Sequence, residues 1–289
     1  MRGKGISVNA ITLREWLIIA TRQLVKVSES PRLEAEVLLA AALNRPRSTL
    51  HAWPERIPEP EQSARFNAWL NRRRAGEPVA YILGRREFWS LELEVTPATL
   101  IPRPETELLV ELALERLPAN HPVKVADLGT GSGAIALALA VERPQARIVA
   151  TDQSPAALAV ARRNARRLKI NRVEFRQGDW CTPLAGERFD LIVANPPYVA
   201  AADPRWQGGD LRFEPSAALI SGETGLDALR AIIAAAPDHL QPEGWLLLEH
   251  GYDQGEAVPA LLRKQGLVEV SDHPDAAGLS RSSCGRWRG

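Results

Sequence analysis

After Pro97 short apolar runs alternate with longer segments of helical period, and this alternation constrains the fold of the 289-residue chain more than any other feature. Strands are expected at 123–127, 148–151, 173–177, 191–194 and 245–249, with helices at 135–142, 156–168 and 226–240. Buried strands joined by helical crossovers imply a mostly parallel sheet covered on both faces. In such a sheet ligands bind beyond the carboxyl ends of the strands, so the loops there are the place to look for chemistry.

The part before Pro97 has a different period. Thr12 and Glu15 form a capping box ahead of Leu13, Trp16, Leu17, Ala20 and Leu24, which recur at helical spacing. A second helix is expected to open at the cap Ser30 with Pro31 in its first position. A third carries Phe66, Trp69 and Leu70 on one face and ends in Arg72-Arg73-Arg74, read as a solvated helix end. Val79, Tyr81 and Leu83 then alternate, Gly84 permits a turn, and the stretch from Phe88 to Val95 alternates again, which predicts a β-hairpin. The expected organisation is a helical domain over 1–78, a hairpin linker over 79–97 and an α/β domain over 98–289.

Charge and cysteine content narrow the function classes. The 36 basic residues nearly balance the 35 acidic ones, leaving +1, which lacks the basic excess of a nucleic-acid binder. Cys181 and Cys284 sit in no Cys/His cluster, so neither a metal site nor a disulfide framework is expected and a reducing cytoplasm fits. The first ten residues carry Arg2 and Lys4 without an apolar run behind them, and no window reaches the length of a membrane span, so a soluble, unexported protein is expected.

The first strand of the sheet ends in Asp127-Leu128-Gly129-Thr130-Gly131-Ser132-Gly133 and runs directly into an apolar helix. Glycines there allow a tight turn and let a ligand approach the main chain. The dinucleotide fingerprint is G-x-G-x-x-G, whereas these glycines follow G-x-G-x-G, a spacing that favours S-adenosylmethionine. Asp152 ends the second strand, where a carboxylate can accept both hydroxyls of a ribose, although it could also serve as a helix cap beside Ser154-Pro155. Asp179 and Trp180 follow the third strand, placed for an acidic group at an adenine amine and an aromatic wall against its ring. From Gly129 to Gly133, with Asp152, Asp179 and Trp180, the chain therefore offers a nucleoside-cofactor site.

The fourth strand ends in Asn195-Pro196-Pro197-Tyr198. An amide nitrogen is a weak nucleophile because its lone pair is delocalised, so methylating one depends mainly on positioning. The side-chain oxygen of Asn195 and the main-chain carbonyl of Pro196 can each accept one hydrogen of an NH2 group, while Pro197 stiffens the turn and Tyr198 offers a flat face for stacking. Asn195 also stands near enough to the glycine loop to be counted with the cofactor site. The same tetrapeptide serves acceptors as different as an amide side chain and a flipped base, so the substrate stays open on these residues alone. Between Val199 and Gly225 a long stretch with Pro204, Gly208-Gly209 and Pro215 reads as a functional loop able to close over an acceptor.

Further strings narrow the choice. Phe88-Trp89-Ser90-Leu91, Leu100-Ile101-Pro102-Arg103-Pro104-Glu105-Thr106-Glu107, Arg212-Phe213-Glu214-Pro215 and Leu248-Glu249-His250-Gly251, together with the glycine loop and Asn195 to Tyr198, closely resemble the release-factor glutamine methyltransferases, the PrmC/HemK family. The resemblance covers nearly the whole chain. It implies a seven-stranded, mostly parallel class I S-adenosylmethionine methyltransferase sheet, with a small N-terminal helical domain that grips the partner and is joined by the hairpin. It implies S-adenosylmethionine as methyl donor, S-adenosylhomocysteine as product, and no metal. The substrate it implies is the glutamine of the Gly-Gly-Gln motif in class 1 peptide chain release factors, taken by a monomer with no direct nucleic-acid contact. Gly129 to Gly133, Asp152 and Trp180 would contact the cofactor, Asn195 to Tyr198 the glutamine, and Phe88, Arg103 and Glu105 would line the cleft. A ribosomal-protein glutamine methyltransferase and a nucleic-acid exocyclic amine methyltransferase share the tetrapeptide and are the rival readings. The string Gly278 to Cys284 is richer in serine than the resemblance leads one to expect, which leaves the register of the final strand open.

Overall fold

The computed structural model describes residues 11–289, the side chain of Arg205 excepted; the basic segment at 1–10 lies outside the described residues. The chain divides into two compact units, one ending at Gly84 and one comprising Arg85–Gly289.

The first unit is helical: α1 Leu13–Leu24, α2 Pro31–Leu43, α3 Ser48–Ala52, α4 Pro60–Arg74 and α5 Val79–Leu83. The capping box of α1 forms as expected, with Thr12 Oγ1 accepting from Glu15 N and the Glu15 carboxylate accepting from Thr12 N. Ser30 does not cap α2, since its side chain makes no capping hydrogen bond; the fixed φ of Pro31 suffices to start the helix. The core joins Leu13, Leu17 and Leu24 to Leu38, Leu39 and Phe66, with the Phe66 ring edge-on to Trp16 at 5.4 Å.

Two further expectations are corrected in this unit. Val79–Leu83 is a helix, not a strand: a five-residue apolar run is too short for period to discriminate, and Pro78 before it with Gly84 after it, in left-handed conformation, delimit a single turn. The arginine run is not uniformly solvated. Arg73 is buried, ion-paired to Glu34 at 2.6 Å, and donates to the Val27 carbonyl, tying α4 to the start of α2.

The second unit opens with the hairpin β1 Arg85–Phe88 and β2 Leu91–Glu94, whose turn residues Trp89 and Ser90 both have positive φ. The elements α6 Glu107–Arg116, β3 Lys124–Leu128, α7 Ala134–Glu142, β4 Arg147–Asp152, α8 Pro155–Arg167, β5 Val173–Gln177, β6 Phe189–Ala194, α9 Asp227–His239, β7 Leu240–Glu249, α10 Ala257–Lys264, β8 Val268–Pro274 and β9 Ser280–Arg286 follow. The sheet order is β5-β4-β3-β6-β7-β9-β8, parallel through β7 and antiparallel for the last two strands. This is the seven-stranded, mostly parallel sheet expected from the sequence. Alternate residues of its central strands enter opposite cores: Val125, Leu191 and Val193 face α6 and α7, whereas Ala126, Leu128 and Ile192 face α9 and α10. The serine-rich final strand pairs Ser282 with Glu249 and Cys284 with Leu247, which fixes its register. Among the described residues no helix is long and apolar enough to cross a membrane.

Candidate active site

A cavity of about 210 Å3 opens beyond the carboxyl ends of β3, β4, β5 and β6. Its floor is the glycine loop. Gly129 N and Thr130 N both donate to the Thr151 carbonyl at 2.9 Å, so the loop starts by folding back over β4. Ser132 presents its carbonyl to Nδ2 of Asn164, a fully buried residue of α8 that also bonds Glu94 of the hairpin through both its amide atoms. Gly129 lies in the left-handed region at φ +72°, and a Cβ there would stand 3.2 Å from the Trp180 ring, so the main chain and the indole approach as only glycine permits.

The acidic residues divide by position. Asp127, wholly buried beneath the loop, accepts from Thr130 Oγ1 at 2.6 Å and Ala136 N at 3.2 Å, and burial pushes its carboxyl up to about 7. Asp152 lies on the cavity wall, accepting from Gly131 N at 2.9 Å and Ser154 N at 2.8 Å, with its carboxyl raised by burial. It does not cap α8; Ser154 does, through Ala157 N. Asp179 and Trp180 line the same cavity, and Thr151 Oγ1 donates to the Trp180 carbonyl.

On the opposite wall stand Asn195 and Pro197. Asn195 Nδ2 donates to Thr106 Oγ1 at 3.1 Å, which turns the nitrogen end of its amide away and leaves the oxygen as the end to be offered. Pro196 is buried and is not among the lining residues. Tyr198 does not present an open face to the cavity: half-buried, it sends its hydroxyl 3.1 Å to Glu249 Oε1, and burial raises its phenol well above the ordinary value. Arg103 lines the cavity and is held by an ion pair with Glu214, whose carboxylate also accepts from Ile101 N.

Two expected cleft residues lie elsewhere. Phe88 is 1% exposed within the core beneath α6 and α7, because it is the hairpin residue that must bury its ring for the two-stranded ribbon to pack. Glu105 is exposed on the short 3-10 turn Pro104–Thr106 and is not a lining residue. The stretch from Val199 to Gly225 is structured: Val199 N donates to the Leu219 carbonyl and Ser221 N to that of Val199, and Pro215, Ala217 and Ala218 close one side of the cavity.

Thr106, Glu214 and Glu249 stand in strings that carry the family resemblance but received no role from the sequence, and Asn164 gave no signal there. Glu249 was within reach of a sequence reading, because a carboxylate ending a strand next to β6 must stand beside Asn195: the ladder pairs Ala194 with Leu248.

The site suits a nucleoside-bearing methyl donor, since its floor is the main chain of a glycine loop, a carboxylate and an indole share the wall, and the Asn195 amide lines the same cavity. Residues 15–84 match the family model described as the PrmC N-terminal domain, and residues 106–207 the methyltransferase small domain. The release factor glutamine methyltransferase of Pseudomonas aeruginosa is 56% identical over 260 residues, covering 90% of this chain and 94% of its own length. The enzyme of the same description from Escherichia coli is 47% identical over 274 residues, covering 95% and 98%. Among solved structures, a methyltransferase from Pyrococcus furiosus superposes with a TM-score of 0.53 at 20% identity, over 77% of this chain and 98% of that one. A 16S rRNA N2 G1207 methyltransferase from T. thermophilus, in complex with AdoMet and guanosine, gives 0.53 at 21% identity over 71% and 50%. At those identities the two structures speak for the fold alone.

Proposed function

The chain belongs to the release factor glutamine methyltransferase family, and from that membership we propose that it methylates the side-chain amide nitrogen of the glutamine in the Gly-Gly-Gln motif of class 1 peptide chain release factors. The observation that carries the reading within the site is the Asn195 amide, which lines the cavity with Asp152 and Trp180 and whose nitrogen is engaged by Thr106, leaving its oxygen as the acceptor.

The residues divide the work. Main-chain groups of Gly129 to Gly133, the Asp152 carboxylate and the Trp180 ring hold S-adenosylmethionine, which supplies an electrophilic methyl on a sulfonium centre. Asn195 Oδ1 and the Pro196 carbonyl each accept one hydrogen of the glutamine NH2, so the nitrogen is fixed and its lone pair localises as the bond forms. Pro197 keeps the turn rigid. No strong base is required, because the amide proton becomes acidic only once methyl is attached and can leave to water. Arg103 borders the acceptor side, held by Glu214. The helical unit serves as the partner-binding domain, and both cysteines, free and buried, fit a reducing cytoplasm.

Mass spectrometry of a purified release factor after incubation with enzyme and S-adenosylmethionine tests the assignment. One added methyl on the Gly-Gly-Gln glutamine is expected, and methylation only of a ribosomal protein or a nucleic acid would overturn it. Asn195→Ala is expected to retain cofactor binding by calorimetry while transfer falls by about 100-fold or more. Parental turnover in that variant would remove Asn195 from the mechanism.

A further inference from the structure

Glu249 ends β7 with 1% of its surface exposed, and nothing in the methyl-transfer chemistry described above uses it. A carboxylate in the core is costly unless its oxygens are satisfied or its charge is needed. Its surroundings point to need. Oε1 accepts from the Tyr198 hydroxyl at 3.1 Å, and Oε2 is buried without a hydrogen-bond partner among the described residues. Thr106 Oγ1 accepts from Asn195 Nδ2, and its hydroxyl stands near enough to the Glu249 carboxylate to favour the ionised form. A hydroxyl has one hydrogen. With its oxygen taken by the Asn195 NH2, Thr106 can direct that hydrogen only to a pure acceptor, and the neighbouring carboxylate is one.

We propose that Glu249 is a positioning residue for methyl transfer: through Thr106 it holds the Asn195 amide with its oxygen toward the acceptor, and through Tyr198 it anchors the other end of the same tetrapeptide. This rests on the reading that Asn195 accepts a hydrogen from the substrate amide. Direction is the essence of the device. An ionised carboxylate can only accept, so the order of donors runs Asn195 to Thr106 to Glu249 and cannot reverse. An uncharged amide or acid in its place could donate to Thr106, release Asn195 Nδ2, and let that amide turn its NH2 toward the substrate's NH2, where two donors would meet.

Burial pushes the Glu249 carboxyl up to about 7, with Thr106, Tyr198 and Arg281 favouring its ionised form and Glu105 opposing it. Arg103 adds positive charge on the Tyr198 side, and from the next strands His250, which follows Glu249 in the chain, pairs with Asp272. Because the ionised form is the directing one, turnover at saturating cofactor and substrate should fall as pH drops through about 7, and this limb should belong to kcat.

The experiment measures kcat and both KM values from pH 6 to 9 for the full-length enzyme and three variants, with purified release factor as acceptor and S-adenosylhomocysteine binding as a check of the fold. Glu249→Gln is expected to lose at least about tenfold in kcat at pH 8, to keep KM for S-adenosylmethionine within about twofold, and to lack the acid limb. Glu249→Asp, which keeps the charge, should retain the limb and recover part of the rate. A Gln variant with parental kcat, or with the acid limb intact, overturns the proposal. Should Glu249→Gln fail to bind S-adenosylhomocysteine, Thr106→Val decides: a tenfold loss in kcat at unchanged Tm and cofactor KM supports the relay, and a parental rate sinks it. A parental enzyme that is silent on release factor yet methylates another amide overturns the substrate assignment only, and the same ratios are then read on that amide.

Discussion

The two halves of the cavity are built from different materials. On the β3 and β4 side the working surface is main chain: the Thr151 carbonyl folds the loop, and Asp152 clamps it through amide hydrogens of Gly131 and Ser154. On the β6 and β7 side it is made of side chains in series, Asn195 to Thr106 and Tyr198 to Glu249. Each half has one carboxylate sunk beneath it, Asp127 under the first and Glu249 under the second, both pushed to about 7 by burial. Asp127 braces a backbone turn whose amides point one way whatever the proton does. Glu249 braces an amide side chain that can be turned round. The difference teaches that a cofactor recognised by many main-chain contacts can be held by shape, whereas an acceptor recognised through two hydrogens requires an enforced polarity.

The sharpest way to break this division is Gly225→Ala. Gly225 sits at φ +75° where the returning loop passes under the tetrapeptide, and a Cβ there would lie 2.3 Å from the Tyr198 carbonyl oxygen and 2.9 Å from Gln254 Nε2, which itself donates to that oxygen. The Tyr198 carbonyl cannot yield without moving the turn, and the buried Gln254 side chain is held at its other end by Gly251 N. We expect transfer to fall by about 100-fold and stability by on the order of 2–3 kcal/mol, with S-adenosylhomocysteine affinity nearly parental. Thermal melts, calorimetry and initial rates on one preparation check the three together; a proportionate loss of cofactor binding would mean that the halves are one mechanical unit.

The complementary probe acts on the other side. Asp152→Ala removes the acceptor for Gly131 N and Ser154 N together with the carboxylate on the cavity wall. Hydrogen bonds to a charged group contribute about 1.5–3 kcal/mol each, so cofactor affinity should weaken by roughly 10- to 100-fold. At saturating cofactor the rate should stay within a few-fold of the parent. An equal loss in kcat would show that Asp152 shapes the acceptor side as well.

The same contrast governs what could be read from the chain. The main-chain half was legible because its signals are local: glycine spacing, a strand running into an apolar helix, and an acid at the next strand end. The tetrapeptide was legible for the same reason, and five strands of the parallel sheet were placed by their apolar runs. What escaped depends on contacts between distant segments. Thr106 and Asn195 are 89 residues apart and meet only when the turn ahead of α6 packs at the end of β6, whereas Tyr198 and Glu249, 51 apart, meet only once β6 lies against β7. Phe88 was placed in the cleft by resemblance, but period cannot tell which face of a short hairpin will be covered, and α6, which covers it, had not been recognised. Val79–Leu83 failed for want of length, since alternation over five residues is equally one turn of an apolar helix.

The gentlest test separates the two ends of the side-chain series. Tyr198→Phe deletes the hydroxyl that donates to Glu249 Oε1 at 3.1 Å and leaves the ring in place. The ordinary value of the Glu249 carboxyl is 4.5, and burial has already raised it to about 7 in the folded protein. A carboxyl raised on folding favours the folded state most below its unfolded value, and that contribution is lost as pH climbs through about 7. Removing a donor to the ionised form raises the carboxyl further. Two consequences follow in opposite directions: at pH 8 the variant should be less stable by on the order of 1 kcal/mol, whereas at pH 5 it should nearly match the parent. In activity the acid limb of kcat should move upward by up to about one pH unit, with turnover at pH 8.5 within about threefold of parental. Thermal melts at the two pH values and a kcat profile check both. A limb that stays in place while the melt at pH 8 falls would assign Tyr198 to packing, and would leave the polarity of the acceptor half to the Thr106 end alone.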